Sequence, residues 1–177
     1  MTTASGLVLR HLAPLRVASE LGPIVDLACG RGRNALALSR EGIDCLGLDR
    51  NRSSLRELAA AARPGRVEAV CCDLESGHGI PVRPGSCGAI LVFRFLFRPL
   101  AAAIQDALAP GGLLLYETFT REQPAHGWGP SRPAFLLEAG ELPRLFPGLE
   151  IVQHDEAPVT VPRPEASARL VARRPAS

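Results

Sequence analysis

The chain contains no lysine: its 20 basic residues are all arginine, set against 18 acidic ones, for a formal charge of +2. So small a surplus excludes a phosphate-binding surface built on bulk charge, and nucleic acid is not the expected partner. The missing lysine also removes any chemistry that needs a Tyr-x-x-x-Lys pair. No C-x-x-C spacing occurs among the five cysteines at 29, 45, 71, 72 and 87, and the number is odd. That excludes a disulfide framework and gives no zinc or other metal site; reduced thiols and a cytoplasmic location are expected. No apolar run approaches the ~20 residues that span a bilayer, and the first residues do not read as a secretory signal. With 177 residues the chain is too short for two comfortable cores, so one domain over 1–177 is expected, as a monomer or homodimer.

What the chain does have is alternation. From Pro23 onward short apolar runs, predicted as strands over 23–28, 44–49, 67–72, 88–93, 113–117, 149–156 and 167–173, alternate with helix-like stretches over 32–41, 51–62 and 98–108. Gly42, Pro64 and Pro110 stand where those helices must stop. The pattern predicts a doubly wound, mostly parallel α/β sheet covered on both faces. Residues 1–22 are expected to hold one helix, 121–137 a substrate-side loop, 162–164 a turn, and 173–177 a frayed tail.

The most informative segment is Ile24-Val25-Asp26-Leu27-Ala28-Cys29-Gly30-Arg31-Gly32-Arg33-Asn34, a strand that breaks into glycines and restarts as a helix. Such a turn brings backbone N–H groups and the positive end of a helix to a ligand. Alone, G-x-G-x-x-A is a common pattern. Three carboxylates sharpen it. Asp49 closes the second strand, where it can accept from ribose hydroxyls; Asp26 beside the loop suits an ammonium group; Asp73 at the third strand's end suits an adenine amine. Each acid also fits a purely structural role, Asp26 as a cap or buried hydrogen-bonded carboxylate, the other two as strand-end loop residues.

These residues resemble a family. Asp26 to Asn34, then Gly47-Leu48-Asp49-Arg50-Asn51, then Cys72-Asp73-Leu74, are similar to the successive cofactor motifs of class I S-adenosylmethionine-dependent methyltransferases, and the G-R-G-R-N version looks most like the small tellurite-resistance-type subgroup. The resemblance implies S-adenosylmethionine as cofactor, a strand order of 3-2-1-4-5-7-6 with the last strand antiparallel, and methyl transfer to a small-molecule acceptor. It implies a cofactor site formed by Asp26, Ala28, Gly30, Arg31, Gly32, Arg33, Asn34, Asp49, Arg50, Cys72, Asp73, Leu74, Phe93 and Arg94, with Asp49 on the ribose and Asp73 with Leu74 beside the adenine.

The acceptor is expected beyond the fourth and fifth strands. There Arg94 is the first candidate for a substrate or cofactor contact, or else an ion-pair partner for a strand-end acid; Arg98 reads as a helix-start surface residue. Glu117 is a candidate general base or turn cap, and His126 with Trp128 a candidate lid. Tyr116 reads as core, and Cys71 and Cys72 as small apolar packing. The fourth strand lacks the Asn/Asp-Pro-Pro-aromatic motif of base and amide methylation. Three rival readings remain: a non-catalytic sensor or partner subunit, a nicotinamide-dependent reductase, and an RNA methyltransferase.

Overall fold

The computed structural model describes residues 3–158 and 163–176. Seven strands, β1 (Ile24–Leu27), β2 (Cys45–Asp49), β3 (Val67–Cys71), β4 (Cys87–Phe93), β5 (Leu108–Phe119), β6 (Glu150–Asp155) and β7 (Ser167–Arg173), form one sheet in the order β3-β2-β1-β4-β5-β7-β6. β1 to β5 are parallel, and β7 enters antiparallel between β5 and β6. Both the strand set and its order agree with the sequence expectation.

The period of two along each strand decides which helix it meets. Ile24, Ala89, Leu91 and Leu115 pack with α1 (Gly6–Arg10), α2 (Leu12–Ala18), α3 (Arg33–Arg40) and α4 (Arg52–Ala61). Val25, Leu27, Ile90, Val92 and Leu114 pack on the other face with α5 (Ala101–Ala107) and, through Leu142 and Phe146, α6 (Glu141–Arg144) and the turn after it. Central β4 is buried at all seven positions, hence its unbroken apolar run.

Four expectations are corrected. The N-terminal region holds two short helices rather than one, because His11 turns out of helical geometry and its Nδ1 donates to the Leu7 carbonyl at 2.8 Å. The helix expected to reach residue 108 stops at Ala107, since Leu108 pairs with Cys87 as the first residue of β5. Pro110-Gly111-Gly112 therefore lies inside β5 as an irregularity, with Gly111 N–H donating to the Arg174 carbonyl and Arg174 N–H to that of Gly112, both at 2.9 Å. Nor is the tail frayed at Arg174: its guanidinium donates to the Leu108 and Asp106 carbonyls at 2.6 and 3.0 Å, capping the end of α5. Of the expected 162–164 turn, residue 162 lies outside the described residues, as do residues 1 and 2 of the N-terminal region and residue 177 of the tail.

The long loop after β5 is built, not slack. A parallel bridge joins Thr120 to Leu137, and 3₁₀ turns form at Gln123–His126 and Pro133–Phe135. Gln123, fully buried, donates to the Trp128 carbonyl at 2.9 Å and accepts from Ala166 N–H at 2.8 Å. Two backbone groups that would otherwise be orphaned are thereby satisfied.

Candidate active site

Two non-glycine residues among those described have a left-handed φ: Ala28 at +52° and Arg94 at +58°. They stand at the carboxyl ends of β1 and β4, neighbouring strands on either side of the point where the strand order reverses. Open α/β sheets bind ligands at that point, and strained backbone collects at such sites.

The glycine loop follows Ala28. Gly30 (φ +55°) has no atom within 4 Å of where a Cβ would stand, so space is open beside it. Gly32 (φ +71°) differs: a Cβ there would come within 2.2 Å of Leu58 on α4, so this glycine lets α3 and α4 pack. Asp49 ties the loop to β2. Its Oδ2 accepts from Gly30 N–H and its Oδ1 from Asn51 N–H, each at 2.7 Å. A carboxylate with two acceptor sites engaged keeps capacity for hydroxyl donors.

Asp26 is only 2% exposed, on the α3 side of β1. Burial pushes its carboxyl up to about 7, against the pull of the Ala35 backbone N–H and the Arg33 guanidinium. Arg33 lies over the Phe93 ring, 6.0 Å from its centroid, with one buried guanidinium nitrogen that has no hydrogen-bond partner among the described residues. Burial and the nearby Arg94 together lower its pKa.

A cavity of about 80 Å³ opens between Ala28, Asp49, Arg50, Cys72 and Leu74. Cys72, named both among the cofactor-site residues and as small apolar packing, forms part of this wall. Burial raises the Cys29 and Cys72 thiols, so both stay protonated near neutral pH and act as surface rather than as nucleophiles. Exposed Cys71 is not packed as expected, and its thiol points to the Arg50 carbonyl at 3.7 Å. Asp73 is exposed and accepts from Glu75 N–H at 2.9 Å.

A second cavity, about 260 Å³, lies beside the first at the ends of β4 and β5, with Arg50 common to both. Phe95, Leu96, Phe119, Pro130 and Phe135 supply its apolar wall, and Arg94 and Thr118 its polar points. A larger cleft of about 380 Å³, around Gln105, Pro110, Gly148 and Arg174, opens at the amino ends of the strands, away from the glycine loop.

The remaining candidates divide. Arg94 joins the site as the ion-pair alternative describes, its Nη2 3.0 Å from Glu165, while it stacks on Phe119 and Trp128 at 5.6 and 5.4 Å. Arg31 is exposed and pairs with Glu57 at 3.0 Å, and Arg50 pairs with Glu75 at 2.9 Å. Asn34 turns away from the crevice to accept from Ser5 N–H at 2.9 Å. Glu117 is buried between Ser5 Oγ at 3.0 Å and Arg169 Nε at 3.5 Å. The His126 imidazole makes no hydrogen bond or ion pair among the described residues and does not line the second cavity. Trp128 does not line the cavity either, but it sits against two of its wall residues, Arg94 and Phe119, with its indole N–H on the Pro164 carbonyl at 2.8 Å. Tyr116 is core, with its hydroxyl on the Phe95 carbonyl at 3.0 Å.

Sequence reasoning read Arg98 as a surface residue; it is a clamp. Its guanidinium binds Glu141 twice, at 2.5 and 2.9 Å, and donates to the Ala134 and Leu136 carbonyls at 2.9 Å each. Phe135, Pro130 and Glu165 were missed altogether. The prolines flanking Arg163 read as a turn, and nothing local tells that the acid after them meets Arg94.

A seven-stranded sheet of this order, with a glycine cradle and strand-end acids at its switch point, defines a class I S-adenosylmethionine-dependent methyltransferase. The chain belongs to the methyltransferase domain family, whose model matches residues 24–112. Its fold is shared by TehB from Haemophilus influenzae (20% identity, 98% of this chain and 63% of that one, TM-score 0.73). It is shared too by an S-adenosylmethionine-dependent methyltransferase from Methanosarcina mazei (18% identity, 99% and 100% covered, TM-score 0.72) and another from Mesorhizobium loti (19% identity, 93% and 97% covered, TM-score 0.70). No curated protein matches. S-adenosylmethionine is the cofactor, and the residues present fit it: an open glycine cradle, a buried acid for a cation, and an unpartnered guanidinium nitrogen on Arg33. Among the described residues no helix is long and apolar enough to cross a membrane.

Proposed function

We propose that this protein transfers the cofactor's methyl group to a small molecule seated in the cavity at the ends of β4 and β5. The observation that carries this reading is the pair of adjoining cavities, one bordered by Ala28, just before the glycine loop, and by Asp49, the other by Arg94 and aromatic side chains, with Arg50 shared. Asp26 and Gly30 hold the amino-acid end of the cofactor, Asp49 the ribose, and Leu74 with Cys72 the adenine. When bound, the cofactor supplies an electrophilic methyl on sulfur, so the chain's own task is to orient a nucleophile and exclude water. The loop through Trp128 and Phe135 supplies that exclusion. Five unpaired thiols support a reducing, cytoplasmic setting.

Calorimetry and turnover test the reading. S-adenosylmethionine and S-adenosylhomocysteine should bind and NADH should not. S-adenosylhomocysteine should be released with at least one acceptor drawn from thiols, selenium and tellurium oxyanions, small amines and aromatic acids. Binding without release for every acceptor favours a sensor. Asp49→Ala should weaken cofactor binding by about 1–3 kcal/mol through lost charge-assisted hydrogen bonds; unchanged affinity removes the ribose assignment.

A further inference from the structure

We infer that the acceptor is a small aromatic monoanion, held by its ring against Phe119 and Phe135 and by its charge on Arg94. The inference rests on the methyltransferase reading and narrows it to a substrate class.

Size comes first. The 260 Å³ cavity is smaller than the ~300–1,000 Å³ sites that hold drug-sized ligands, so it suits one substituted ring rather than a nucleotide or peptide. Its walls come next. Phe95, Leu96, Phe119, Pro130 and Phe135 offer an apolar surface on several sides, and a bare inorganic oxyanion would leave it unmatched while losing its own hydration.

Charge then selects among ring-bearing molecules. Arg50 and Glu75, both on the wall, neutralise each other at 2.9 Å. Arg94 faces the cavity, whereas its partner Glu165 is not part of the wall. That bond engages one of five guanidinium donors, and the Arg94 side chain is still 43% exposed. Its guanidinium carbon lies 5.6 and 5.4 Å from the Phe119 and Trp128 ring centroids, which confines the head group beside those two rings. A second guanidinium, Arg33, lies near enough to lower in pKa through Arg94. An ammonium-bearing acceptor brings no acceptor atom for the open donors of Arg94, and a neutral ring leaves them without an anionic partner.

Trp128 makes the idea directly readable. It is the chain's single tryptophan, stacked between Arg94 at 5.4 Å and Arg163 at 4.3 Å and edge-on to Phe119 at 5.5 Å. Its fluorescence therefore reports on the cavity rim. The full chain, saturated with S-adenosylhomocysteine, is titrated with benzoate, benzyl alcohol, benzylamine, acetate and selenite. Benzoate should give a saturable change at least about tenfold tighter than any of the other four, and Arg94→Gln should erase that preference, as expected for a lost charge-assisted hydrogen bond. Should Arg94→Gln fail to melt cooperatively, Phe135→Ala, a change at an exposed loop position, should weaken benzoate and benzyl alcohol together and leave acetate alone. Equal affinity for benzoate and benzyl alcohol, tighter binding of benzylamine or of selenite, or no saturable response to benzoate would each overturn the inference while cofactor binding stands. If calorimetry shows that S-adenosylhomocysteine itself does not bind, the methyltransferase reading falls and takes the inference with it.

Discussion

At the scale of single residues, the site is made of groups held in states they would not adopt alone. Asp26 is the clearest. Its folded value of about 7 exceeds the usual 3.8, so between those two pH values the native state carries a proton that the unfolded chain has released. Stability then falls as pH rises through that window, and the charge present above pH 7 costs on the order of a few kcal/mol. Asp26→Asn removes the titration while keeping the shape. Relative to wild type its stability should rise by about 2–3 kcal/mol between pH 5 and pH 8, read by urea unfolding at both, and a gap that does not change with pH would show that Asp26 is not raised. The function follows from the same imbalance: a buried acid that is costly to ionise is made less so by a cationic ligand, so cofactor affinity should climb as pH rises toward 7. Ala28 stores strain of another kind. At φ +52° its Cβ is crowded, and Ala28→Gly should raise the melting temperature by about 2–4 °C, the strain relieved outweighing the looser unfolded chain. A lower melting temperature in scanning calorimetry would mean that the Cβ is needed for packing instead.

At the scale of elements, the acceptor side depends on one side chain that bridges 43 residues of sequence. Arg98, in the 3₁₀ turn before α5, holds Glu141 at the start of α6 and two carbonyls of the segment between. Each partner shifts the other: the hydrogen bond to Glu141 raises Arg98, and that to Arg98 lowers Glu141. Because three elements converge on one planar fork, Arg98→Lys should not restore what Arg98→Ala loses. Either should cost about 2–3 kcal/mol and speed proteolysis within 130–138 before global unfolding, measured by limited digestion followed by mass spectrometry. A digestion pattern like that of wild type would mean the segment is held by Leu136 and Leu137 alone. This clamp also marks where the sequence ceases to be readable. β1, the glycine loop and Asp49 are legible because they lie within one βαβ unit, where period-two burial and turn chemistry are local. Strand order is implied by the resemblance alone, and the sheet has that order. Arg98 looks like any arginine before a proline, and its meaning depends on Glu141, which no periodicity connects to it. Arg169 did leave a sign, as the one charge inside the apolar run from Ala168 to Ala172, and the structure answers it with Glu117 in direct register on β5.

At the scale of the whole molecule, that register pair belongs to a polar line crossing the carboxyl end of the sheet. Asn34 on α3 accepts from Ser5 N–H, Ser5 Oγ reaches Glu117, Glu117 meets Arg169, and Arg169 goes on to Ser167 at 2.8 Å and Asp155 at 3.3 Å. The line joins the N-terminal helices and the cofactor loop to the antiparallel end of the sheet. Glu117 is 8% exposed and so is Arg169, so each is the other's main reason for tolerating burial. Glu117→Gln should therefore cost about 2–4 kcal/mol, toward the lower end because Asp155 stays as a second partner for Arg169. In a double-mutant cycle with Arg169→Met, removing both charges should recover part of the loss, giving a coupling of about 1–3 kcal/mol by urea unfolding. The same variant weighs Glu117 as a general base. A base removed costs ~10²-fold or more in rate, whereas a buried strut removed costs folded protein but little turnover per folded molecule. With Ser5 Oγ and Arg169 already on its carboxylate, Glu117 is expected to act as a strut, and S-adenosylhomocysteine release from the folded fraction of Glu117→Gln should stay well short of that loss. A rate collapse in fully folded Glu117→Gln, with a pH profile that loses its acid limb, would instead return the proton-transfer role to Glu117.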